Sequence, residues 1–154
     1  MRIGQEVQAL PRPLLGLTRV ADIAYGVEPG LSVEEFRRVL VDSRLAERRP
    51  ADDLDRLARM LAGADLVVTA RRGGDLVGVA RTLTDFTYCA YVSDLAVSRD
   101  AQGLGIGQGL LAATRAAVGP QVSVLLTAAP GAISFYERIG MPRVPDAFRY
   151  PAEA

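Results

Sequence analysis

Gln102-Gly103-Leu104-Gly105-Ile106-Gly107 is the stretch on which the reading of the fold turns. It follows a strand-like run, Tyr91-Val92-Ser93-Asp94-Leu95-Ala96-Val97, and opens a helix-like one from Leu110 to Val118. Glycine removes the side chains that would hold a ligand away from backbone amides. Amides in the first turn of a helix have no intrahelical partner and carry the positive end of its dipole. A strand, a glycine-rich turn and a helix start therefore make a cradle for phosphate groups.

The common nucleotide motifs do not fit this cradle. A P-loop ends in Gly-Lys-Ser/Thr, and the chain contains no lysine. The dinucleotide fingerprint needs a third small residue three places after its second glycine. Counting from Gly103 finds Gln108 there, and counting from Gly105 finds Leu110. Nothing acidic lies between Asp100 and Glu137, so the ribose-binding acid of that motif is missing too.

What fits is Gln/Arg-x-x-Gly-x-Gly/Ala. With Ser93-Asp94-Leu95-Ala96-Val97-Ser98 leading into it and Ala132-Ile133-Ser134-Phe135-Tyr136-Glu137-Arg138-Ile139-Gly140-Met141 following it, the chain resembles the Gcn5-related N-acetyltransferase family. The match runs from about Leu66 to Met141 and is loose before that. The resemblance implies an α/β fold with a mixed, mostly antiparallel central sheet flanked by helices and splayed between its fourth and fifth strands. It implies acetyl-CoA as co-substrate, with transfer of the acetyl group directly to a primary amine in a ternary complex. Leu95, Ala96 and Val97 would line the pantetheine arm. Gln102, Gly103, Leu104, Gly105, Ile106 and Gly107 would hold the pyrophosphate.

Tyr136 stands at the family's tyrosine position and is the expected general acid for the departing CoA thiolate, a task suited to a phenol. The alternative for Tyr136 is plain aromatic packing against Phe135. The histone-acetylating branch's glutamate base aligns with Tyr91, so the base lies elsewhere. Asp94 is the nearest carboxylate and the candidate; a structural aspartate at a β-bulge or a water chain to solvent are the alternatives. Ala129 replaces an asparagine found in many members, so Pro130-Gly131 backbone would take over its contact. Arg99 and Arg115 are candidates for the CoA phosphates.

Composition narrows the field. The single domain expected for 154 residues has 49% apolar residues and zero net charge, with arginine its only basic residue apart from the terminus. No broad basic face invites nucleic acid. Histidine is absent and cysteine occurs once, at Cys89, which excludes imidazole catalysis, histidine metal ligation and an internal disulfide. No metal is expected, and Cys89 reads as a small buried apolar residue. No apolar run approaches the roughly 18 residues of a membrane span and no signal-peptide pattern opens the chain, so a cytoplasmic protein is expected.

Along the chain, residues 1–18 give no clear pattern and Arg19–Val27 reads as a first strand. Ser32 and Glu35 form a capping box before a helix to about Ser43, and Asp52/Asp53 to Leu61 has helical spacing. Leu66–Ala70 and Leu76–Leu83 read as strands around Gly73-Gly74-Asp75. Tyr88–Val97 is the central strand, Gly105–Val118 the long helix, Val122–Thr127 a strand and Gly131–Ile139 a short helix. Pro142, Pro145 and Pro151 shorten the family's terminal hairpin to one strand near Ala147–Tyr150. The acceptor pocket is then either more open or completed by a second chain, as in a homodimer. The connection Arg44–Asp53 and the residues Asp85, Phe86, Tyr88 and Tyr91 are expected on the acceptor side. A small-molecule amine leads; a protein amine, a non-catalytic acyl-CoA-binding regulatory domain and an interaction scaffold are the alternatives.

Overall fold

The computed structural model describes residues 22–153; the readings for residues 1–18 and the start of the Arg19–Val27 strand lie outside them. The elements are β1 (Ile23–Val27), α1 (Val33–Asp42), α2 (Leu54–Ala62), β2 (Leu66–Arg72), β3 (Asp75–Thr84), β4 (Cys89–Val97), α3 (Ile106–Val118), β5 (Ser123–Leu126) and α4 (Ile133–Arg138). They form a five-stranded sheet in the order β1-β2-β3-β4-β5. The first four strands run antiparallel, and β5 lies parallel to β4. The parallel pair needs a crossover, and α3 supplies it.

Local chemistry sets these boundaries. Ser32 caps α1 by accepting the Glu35 N–H at 3.2 Å, and Asp53 caps α2 by accepting the Arg56 N–H at 2.9 Å. Each sheet face carries its own core. On one, Phe36, Leu40 and Leu57 of α1 and α2 pack against Val67, Leu76, Val79 and Ala96. On the other, Ile106, Leu110 and Val118 of α3 pack against Val68, Ala70, Ala80 and Val92. The period-2 alternation of the strands sends neighbouring residues such as Val67 and Val68 to opposite layers.

Glu35, whose N–H Ser32 caps, turns its carboxylate toward the sheet. Arg71 on β2 donates from Nε and Nη2 to Glu28 and from Nη1 and Nη2 to Glu35, at 2.6 to 3.1 Å. These bonds to Arg71 hold both carboxyls below the usual range, against the opposing effect of burial. A carboxyl with a depressed folded-state pKa contributes stability above its unfolded pKa, about 4.3 for Glu, and loses it as pH falls through the folded value. Calorimetric melts from pH 7 to pH 3 should show Arg71→Met losing less stability over the acid interval than the wild type does. Parallel acid losses in the two proteins would show the cluster makes no net contribution.

Two expectations are corrected. Ala147–Tyr150 forms no strand, which leaves β5 as an edge of the sheet among the described residues. Prolines at 142, 145 and 151 remove ladder donors on both sides of the segment, and Phe148 and Tyr150 stand 97% and 100% exposed. Cys89 is exposed rather than buried. It begins β4 on the strand face shared with the exposed Tyr91, opposite the buried Ala90. The short helix also starts differently, as a 3₁₀ turn over Pro130–Ala132 that leads into α4.

Candidate active site

The site is built around a defect in β4. Across from β3, Arg81 pairs with Asp94 and Thr82 with Val92, so Ser93 is the extra residue of a β-bulge. On the other side, β5 pairs with β4 only from Cys89 to Val92. From Ser93 onward β4 has a ladder on one side alone among the described residues, and that is the splay between the fourth and fifth strands. The Ser98 N–H donates to Val77 O at 2.8 Å. Because antiparallel bonds alternate, this fixes the parity: Ala96 turns its N–H and C=O to β3, while Leu95 and Val97 turn theirs into the splay. The side chain of Gln102 donates from Nε2 to Val97 O at 3.0 Å. The Leu95 N–H and C=O and the Val97 N–H then remain without a protein partner among the described residues.

The open edge runs directly into the glycine loop. Gly103 and Gly105 both have φ of +79°, a region that costs residues with a Cβ but not glycine. Gly105 caps α3, and the first backbone bond of the helix is donated by Gly109 to Gly105 O at 2.9 Å. The N–H groups of Gly103, Leu104, Gly105, Ile106, Gly107 and Gln108 have no partner among the described residues. Ile106 is 1% exposed and anchors the turn in the core, whereas Leu104 points outward. Phe135 of α4 lies so close to Gly107 that an added Cβ would fall 2.9 Å from its Cζ. The two sequence signatures therefore meet in space, with the aromatic of the second packed on the first turn of the helix that the first one opens.

Tyr136 follows on α4. Its ring stands edge-on to Phe135, with centroids 5.0 Å apart and planes at 77°, and it packs on the α3-side core. Burial raises its phenol above the ordinary value of 10.0, so it is protonated at neutral pH. Arg99 and Arg115 are exposed. Arg115 lies more than two turns along α3, about 14 Å from the cradle at 1.5 Å per residue.

Asp94 occupies a different environment from the one a base requires. No part of its side chain is open to solvent, and each carboxylate oxygen is ion-paired: Oδ1 with Arg49 Nε and Oδ2 with Arg81 Nε. Arg81 also donates to Ser93 Oγ at 2.9 Å, and Arg49 donates to Ser93 O at 2.7 Å. Both arginines thus close on the bulge. Sequence reasoning placed Arg49 only in the acceptor-side connection and passed over Arg81. The available signal was an arginine two residues after the buried Val79 of a central strand, a position that demands a buried partner.

Leu83, Tyr88, Tyr91 and Leu125 wall an open groove of about 590 Å³ beside the paired stretch of β4 and β5. Tyr91 Oη lies 3.5 Å from Thr127 Oγ1 just past β5. Asp85 Oδ1 accepts the N–H groups of Thr87, Tyr88 and Cys89, and these bonds lower its carboxyl. That aspartate shapes the turn, in which Phe86 adopts φ of +56°. No cluster of three or more candidate metal ligands occurs among the described residues. No helix among them is long and apolar enough to cross a membrane.

Known proteins place this architecture. No curated protein matches the chain in sequence. Among solved structures, a candidate acetyltransferase from Deinococcus radiodurans R1 superposes with a TM-score of 0.67 at 24% identity, over 88% of this chain and 93% of that one. A GNAT-family acetyltransferase from Streptococcus pneumoniae TIGR4 gives 0.63 at 18% identity, over 86% and 98%. An aminoglycoside acetyltransferase from an uncultured soil metagenomic sample, solved with sisomicin, gives 0.63 at 19%, over 85% and 97%. At these identities the likeness shows the fold. The model of the acetyltransferase (GNAT) domain matches residues 36–149, most of the chain and both signatures, and the chain belongs to the GNAT acetyltransferase family.

Proposed function

We propose that this protein transfers an acetyl group from acetyl-CoA to a primary amine of a small molecule by direct attack in a ternary complex. The observation that carries this reading is continuity: the unpaired edge of Leu95 and Val97 leads without a break into the amide cradle of Gly103 to Gln108. An extended arm bearing amides fits the edge as an added strand, and a pyrophosphate fits a helix start. Ala96 serves from the opposite layer by packing the strand in place. Gln102 serves indirectly, by holding Val97 O and so fixing the loop to the end of the strand.

The chemistry follows from these positions. An N–H in the splay aimed at the thioester oxygen stabilises the charge that develops there during attack. The amine must first give up a proton, because an alkylammonium has a pKa near 10. With Asp94 sealed between two arginines, we assign that proton to water in the open groove and assign Asp94 the task of holding the bulge. Tyr136 donates its phenolic proton to the departing thiolate. The wall of Leu83, Tyr88, Tyr91 and Leu125 suits an amine with an apolar body better than a polycation such as the aminoglycoside held by the soil relative. The β5 edge, unpaired among the described residues, and the exposed Phe148 and Tyr150 favour a homodimer in which a second chain completes this groove. A cytoplasmic setting agrees with the single cysteine.

One observation favours a second reading. Among the described residues the splayed stretch Ser93–Val97 carries one carboxylate, Asp94, and it is sealed from solvent, as in an acyl-CoA-binding domain without turnover. Thiol release from acetyl-CoA against a panel of arylalkylamines, diamines, amino acids and aminoglycosides decides between the two. Amine-dependent release with an acetylated product supports the transferase. Saturable acetyl-CoA binding with no release above hydrolysis across the panel supports the binding domain.

A further inference from the structure

We propose that Arg49 is a positioning residue that couples the acceptor-side connection to the cofactor strand, so that filling the splay orders the loop that receives the amine. The proposal rests on the cofactor reading above. Its starting point is the bulge carbonyl. An extra residue in a strand loses its ladder partner, and here Ser93 O takes its hydrogen bond from Arg49 Nη2 at 2.7 Å. The same guanidinium reaches Asp94 through Nε and the carbonyl of Arg48 through Nη1 at 2.8 Å. Arg49 lies just after the 3₁₀ turn Leu45–Arg48, in the connection between α1 and α2. That connection is tied to the helices at its other end, where Arg37 Nε donates to Ala51 O at 2.8 Å. Its link to the sheet through Arg49 ends on the residues that begin the splayed edge.

The second arginine makes the device separable from the fold. Arg81 alone still pairs with Asp94 Oδ2 and still holds Ser93 Oγ at 2.9 Å, so loss of Arg49 leaves the buried carboxylate with a partner. The Arg49 side chain is 23% exposed against 7% for Arg81, which places Arg49 at the rim and Arg81 in the core. Ligand on the Leu95–Val97 edge stiffens β4, and the Arg49 fork passes that constraint to residues 44–53. Lysine offers one charged point where the fork offers three directed donors, so Arg49→Lys should recover little of the coupling.

Hydrogen exchange on the full chain, with and without acetyl-CoA, tests this. In the wild type acetyl-CoA should slow exchange both in 93–97 and in 44–53. In Arg49→Met the slowing at 93–97 should persist and that at 44–53 should vanish, with acetyl-CoA affinity nearly unchanged. Arg49→Lys provides the same comparison should the methionine variant not fold. Loop protection that survives in the variants, or a wild-type loop that ignores a protected β4, overturns the proposal. Should acetyl-CoA not bind the wild type at all, the cofactor reading fails first. The link is then read without ligand: exchange at 44–53 should be about tenfold faster in Arg49→Met than in wild type, a gain of local opening, and equal rates overturn it.

Discussion

Tyr136→Phe should lower turnover by about two to three orders of magnitude, in the range for loss of a positioned general acid, and leave acetyl-CoA affinity unchanged. The substitution removes one hydroxyl from a half-buried ring and keeps the edge-on contact with Phe135, so folding and the cradle are untouched. Burial already raises the phenol above 10.0, which keeps the proton on through the neutral range and places its loss far into alkali. The pH–rate profile carries the sign. Turnover that depends on protonated Tyr136 falls only in alkali, above the ordinary phenol range, and the phenylalanine variant should lack that limb. Single-turnover rates and acetyl-CoA titration on the two proteins separate chemistry from binding. Equal rates would reduce Tyr136 to a packing partner of Phe135.

The second large effect is on stability. Asp94→Ala strips two guanidiniums, one of them almost fully buried, of their shared carboxylate. Breaking a buried ion pair from one side typically costs about 3–5 kcal/mol, because the remaining charge stays desolvated. For a chain of this length that lowers Tm by on the order of 10 °C, readable by scanning calorimetry. Asp94→Asn keeps an oxygen acceptor and should fall between wild type and alanine. The same asparagine variant decides the chemical question. A variant that retains the acid limb of the pH–rate profile supports the structural role, and one that melts like wild type but loses that limb would make Asp94 the base after all.

How far the sequence reached depends on the range of the interactions involved. Local signals read well: the Ser32 and Asp53 caps, the Gly73-Gly74 hairpin and the glycine loop all lie within a few residues of the structure they specify. The splay was legible only through resemblance, since nothing in Ser123–Leu126 announces that its pairing stops at Val92. Asp94 shows the limit most clearly. Its partners lie 45 residues before it and 13 residues before it in sequence, and no periodicity links Arg49, Arg81 and Asp94. Cys89 fails for a related reason: an apolar alternating strand predicts a buried face only where a second layer covers it, and Cys89 and Tyr91 lie on a face left exposed there. The strand expected over Ala147–Tyr150 comes from the family's terminal hairpin, and a lone segment between prolines has too little pairing to hold it.

The central claim is that the β4 edge and the glycine loop form one acetyl-CoA site, and titration calorimetry on the purified protein tests it most directly. Acetyl-CoA should bind saturably and more tightly than ATP, with dephospho-CoA retaining most of the affinity because the cradle holds the pyrophosphate. A folded protein that takes up no heat from acetyl-CoA, or that binds ATP equally well, would contradict the account.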